Sequence, residues 1–79
     1  MHDYIATFFT HYDALRFAND LRGRGTAVRL SPVPRSLSSS CGTCARFAFE
    51  GEERELDRAG LEQLVRTDSG RYLPVIDNR

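Results

Sequence analysis

The only two thiols of the chain fall in Cys41-Gly42-Thr43-Cys44, directly after Ser38-Ser39-Ser40, in a segment too small and polar to be core. A thiol offered on a loop is a reagent before it is packing. The backbone of a Ser/Gly loop can turn several N–H groups toward one place, which favours an anion and therefore thiolate over thiol. Cys41 and Cys44 are thus the candidate reacting residues. Ser38, Ser39, Ser40 and Gly42 form the candidate anion-binding backbone, with Arg35 beside them. Arg35 and Arg46 flank the loop and can hold a sulfur oxyanion, a phosphate or a carboxylate by charge-assisted bonds. Each of these residues also has a plain reading. Single surface arginines are ordinarily solvated, and a free Cys is often a small buried hydrophobe, which suits Cys44 at the start of a strand.

Other sulfur chemistries fit the pattern less well. A thioredoxin-like redox pair sits at a helix N-terminus, whereas this pair precedes a strand. Disulfide formation between the two thiols is not removed by that. A structural zinc site needs four ligands, and the candidates Cys41, Cys44, His2 and His11 lack the usual spacing. The expectation is no metal and no cofactor within one chain, although two chains could share a metal. All 11 basic residues are arginine, so lysine Schiff-base mechanisms are excluded. Those 11 arginines balance 11 acidic residues, and a net charge of zero gives no general field for nucleic acid or anionic membranes. No stretch reads as a signal peptide or a membrane span, so the expected location is the cytoplasm.

The elements that position the loop read as two similar halves. Tyr4 to Phe9 is aromatic and β-branched, a buried strand. Thr10 caps a helix with Asp13 three residues on, and Ala14, Phe17, Ala18 and Leu21 make its apolar stripe. Gly23 and Gly25 stop it. Thr26 to Leu30 is a second strand, ended by Pro32 and Pro34. Ala45 to Glu50 is a third, with Phe47 and Phe49 on one face. Asp57 then caps a second helix with Leu61, Leu64 and Val65 as its stripe and Gly70 as its stop. Tyr72 to Ile76 is the last strand, which Pro74 confines to an edge.

Strand, helix, strand, strand, helix, strand is the α+β split βαβ or ferredoxin-like plan: a four-stranded antiparallel sheet with two helices on one face. The 79 residues make one such domain. Its one anomaly is the connection of about residues 31–44, far longer than the usual hairpin loop, and it carries the cysteines. An RNA-recognition domain shares this element order and displays aromatics on its central strands. Ala45-Arg46-Phe47-Ala48-Phe49 echoes that motif only loosely, and Phe8, Phe47 and Phe49 are better spent in the core.

Pro34-Arg35 and Ser38-Ser39-Ser40-Cys41-Gly42, following a strand, an Ala-Leu-containing helix and a glycine-ended turn, resemble the small bacterial selenium or sulfur carrier-like domains. The resemblance runs from about Tyr4 through Phe47 and is most specific at the Ser-Cys-Gly loop. It implies that Cys41 is the carrier thiol, holding sulfur as a persulfide or selenium as a selenosulfide. It also implies transient donor and acceptor proteins as partners, with no cofactor required, and a carrier more than a stand-alone enzyme. Cys44 departs from the family pattern and leaves room for an internal disulfide or a resolving step. The alternative is a noncatalytic interaction or redox-regulatory module built on the same loop.

Overall fold

A computed structural model describes all residues, 1–79. The elements are β1 (His2–Phe8), α1 (His11–Gly23), β2 (Val28–Pro32), β3 (Thr43–Phe49), a short 3-10 turn (Glu53–Leu56), β4 (Leu61–Asp68) and β5 (Arg71–Asp77). The strands form one sheet in the order β2-β3-β1-β4-β5, every neighbouring pair antiparallel. The ferredoxin-like expectation is therefore corrected: there are five strands instead of four and one α-helix instead of two. The strand-helix-strand-strand order expected of the first half is present as β1-α1-β2-β3.

The expected second helix is strand β4, and a bulge explains why its sequence imitates a helix. Along β1 and β4, Thr7 pairs with Gln63 but Phe8 pairs with Leu61, so Glu62 is an extra residue in the ladder. A bulge of this kind breaks the two-residue alternation of a strand. Leu61 and Leu64, three apart, consequently share the face that packs under α1, while Val65 belongs to the opposite cluster. The Gly70 expected to stop a helix instead turns the β4-β5 hairpin. Ser69 and Gly70 both have positive φ, 51° and 80°, as a two-residue turn between twisted antiparallel strands requires. The expected cap Asp57 follows the 3-10 turn, whose Leu56 is fully buried in the main core. Pro74 does lie on an edge strand, β5.

Helix α1 begins as its sequence indicates. The Thr10 hydroxyl accepts a hydrogen bond from the Asp13 backbone N–H at 3.1 Å and donates to the Asp13 carboxylate at 2.6 Å. Ala14, Phe17, Ala18 and Leu21 are all buried against Tyr4, Ala6 and Phe8 of β1 and Ala45 and Phe47 of β3. Phe17 sits 5.1 Å from the Phe8 ring and 5.4 Å from the Phe47 ring. Burial of one such side chain stabilises the fold by about 1.5–3 kcal/mol. At the far end of the helix the Arg22 guanidinium donates to the Val28 carbonyl at 2.8 Å, tying α1 to β2.

The opposite face of the sheet has a smaller core of Ile5, Cys44 and Val65. Its cover is the long connection between β2 and β3, from which Val33 and Leu37 pack onto it, together with Tyr72 of β5. The length of that connection thus has a structural use, since a single hairpin turn would leave this apolar patch in water.

Candidate functional site

Pairing of β1 with β3 decides where the cysteine loop ends up. Thr7 stands opposite Cys44, so the start of β3 lies beside the end of β1, and the end of β1 runs directly into α1. The last loop residues are therefore delivered to the N-terminal end of the helix. Cys41 is partly exposed and packs against the edge of the core under α1. Its thiol donates to the Thr43 carbonyl at 3.4 Å. The Thr43 hydroxyl and His11 Nδ1 share a hydrogen bond at 3.3 Å. Cys41, Thr43 and His11 thus form one connected polar cluster, drawn from the loop, from β3 and from the first turn of α1. Phe9 and Tyr12, close to His11 in the chain, are both exposed.

The second thiol is in a different environment. Cys44 has no exposed surface and belongs to the helix-free core with Ile5 and Val65. Its sulfur lies 3.4 Å from the Ser31 hydroxyl and 3.6 Å from the Pro32 carbonyl. The two thiols are free, and each is engaged by its own carbonyl. Arg46 donates to the Ser31 hydroxyl at 3.0 Å, which makes it a neighbour of Cys44 and not of Cys41.

The serine run is held by β4. Ser40 donates to the Glu62 carboxylate from its backbone N–H, at 3.2 and 3.3 Å, and from its hydroxyl at 2.7 Å. The Thr7 hydroxyl donates to the same carboxylate at 3.1 Å. Glu62 is only 4% exposed, so a charge taken from water has its oxygens met by several donors, as burial requires. The anion that the loop backbone grips is the chain's own carboxylate. Ser39 donates to the Phe8 carbonyl at 3.4 Å and its hydroxyl accepts from the Cys41 N–H at 3.4 Å. The Ser38 carbonyl accepts from Gln63 at 2.9 Å, and its hydroxyl from Arg79 at 3.3 Å. Gly42 has φ 76° and gives its carbonyl to Val33. Arg35 is exposed and forms no hydrogen bond or ion pair with the rest of the chain.

Sequence reasoning weighed His11 as a metal ligand lacking the usual spacing without connecting it to the loop, and it missed Glu62, Gln63 and Thr7 altogether. The link to His11 was available in principle, because adjacency of β1 and β3 brings the start of β3 to the start of α1. The role of Glu62 had no such signal. It depends on the bulge that turns a residue of apparently helical spacing into the loop's anchor.

The chain holds no cluster of three or more His, Cys, Asp or Glu side chains able to hold a metal ion. No helix is long and apolar enough to cross a membrane. No curated protein and no solved structure matches the chain. A family model does match, over residues 3–66, a span that takes in β1, the whole Ser38–Cys44 segment and the Glu62 bulge that anchors it. With most of its length covered by that match, the chain belongs to the family described as Putative Se/S carrier protein-like.

Proposed function

We propose that the protein carries sulfur or selenium on Cys41. The observation that supports this most directly is the inequality of the two thiols within a chain of this family: Cys41 is partly exposed, and Cys44 is sealed. In the sulfur case the Cys41 thiolate attacks the outer sulfur of a donor protein's persulfide. The donor S–S bond breaks, its inner sulfur leaves as a thiolate, and Cys41 becomes a persulfide, with no net oxidation. An acceptor thiolate then takes the outer sulfur by the same exchange. A selenium cargo would be held as a selenosulfide. Donor and acceptor proteins are the partners, and the chain acts as a carrier without a cofactor.

The test is intact mass after incubation with a persulfide donor. Cys41→Ser should load nothing, and Cys44→Ser should load as the parent does. Equal loss in both variants would point instead to a paired redox module, and absence of added sulfur on the parent would remove the carrier reading.

A further inference from the structure

On the sheet face away from Cys41, the open half carries two arginines directly opposite one another. Arg29 of β2 pairs in register with Arg46 of β3. Like charges so placed on one sheet face destabilise it. Five ion pairs engage Arg24, Arg54, Arg58, Arg66 and Arg79, and none engages Arg29 or Arg46. Arg46 gives its Nε to Ser31, which fixes the guanidinium and leaves both Nη groups without a protein acceptor. The pair borders an open hollow of about 490 Å³ that Ile5, Ala48, Asp3 and Thr67 also line. This volume falls within the range of small-molecule sites. Asp3 and Thr67 are themselves opposite one another in the β1-β4 ladder, so the hollow has a cationic end and an acceptor end.

We propose that this hollow binds a small phosphate ester bearing hydroxyl groups. Two guanidinium forks side by side match the oxygens of a phosphate, and binding it removes their mutual repulsion. Ile5 and Ala48 provide an apolar lining for the body of the ligand, and the Asp3 carboxylate accepts from its hydroxyls. The site lies on the opposite face of the sheet from the core against which Cys41 packs, and it stands independently of the carrier reading.

NMR titration with ribose 5-phosphate and, separately, with inorganic phosphate tests the proposal. Saturable shifts are expected at the amides of Ile5, Arg29, Arg46 and Ala48, with the ester bound more tightly than phosphate alone. Arg29→Gln, on an edge strand and free of internal bonds, should weaken both ligands about tenfold, the usual effect of losing a charge-assisted bond. Asp3→Ala should weaken the ester only. Arg35→Gln should change neither, and Cys41→Ser should bind as the parent does. Absence of saturable shifts, or equal weakening by Arg29→Gln and Arg35→Gln, would overturn the site. Equal affinity for the ester and for inorganic phosphate would overturn the assignment of the ligand.

Discussion

Glu62 shows how much one side chain can decide at the scale of residues. Its carboxylate collects two donors from Ser40 and one from Thr7, joining loop, β1 and β4. Glu62→Ala would strand the buried Thr7 hydroxyl, and leaving a buried polar group unpaired costs about 1–3 kcal/mol. Urea denaturation should show a loss of that order or more, since the bonds run to a charged acceptor. The same variant should alkylate faster at Cys41, because the residue before it loses its anchor. In the parent, Cys41 should react with iodoacetamide well ahead of Cys44, whose sulfur is exposed only by opening of the helix-free core. Equal rates would show that the loop opens as a unit.

Among the elements, two turns make opposite demands on glycine. Gly70 has φ 80° and open space within 4 Å of where a Cβ would stand, so Gly70→Ala meets only the conformational penalty of a left-handed backbone, about 1–2 kcal/mol. Gly60 has φ 92°, and a Cβ there would collide with the Asp13 carboxyl. That carboxyl cannot swing away freely, because it is bonded to the Thr10 cap of α1. Gly60→Ala should therefore destabilise more than Gly70→Ala, and thermal unfolding of the two variants compares them directly. A reversed order would mean that the cap is more pliant than its bonds indicate. The close approach also links two elements that look unrelated in sequence, the entry to β4 and the first turn of α1, where Phe9 donates to the Gly60 carbonyl at 3.1 Å.

Across the whole molecule, Tyr4 connects the main core to the 3-10 turn. Its ring stacks on Phe47 at 5.7 Å, and its hydroxyl donates to Glu53 at 2.7 Å, while Arg66 of β4 lies 3.8 Å from the same carboxylate. Burial, then the bond to Glu53 and the charge of that carboxylate, push the Tyr4 hydroxyl up to about 12, against a smaller opposing effect of Arg66. A raised value in the folded state favours the neutral phenol there. The resulting stability is fully present below the ordinary tyrosine value of about 10 and is lost as pH rises from there toward 12. Tyr4→Phe should flatten the pH dependence of unfolding in that window. An unchanged slope would show that Tyr4 ionises alike in both states.

Local chemistry was legible in the sequence wherever it is decided by neighbours in the chain. Thr10 and Asp13 define the cap, the stripe from Ala14 to Leu21 defines the buried side of α1, and Pro74 keeps β5 at an edge. The family resemblance also rested on contiguous residues, the Ser-Cys-Gly loop, and the family match includes them. The identity of β4 was not legible, because Leu61 and Leu64, three apart, share one face on a bulged strand as they would on a helix. Only pairing with β1 on one side and β5 on the other chooses between them, and β1 lies far away in the chain. The same holds for the site: the thiols are adjacent in sequence, but tertiary packing buries Cys44 and leaves Cys41 partly open. It also brings His11 to Thr43 and commits the loop's donors to Glu62, since hydrogen bonds and burial depend on the elements that meet in space.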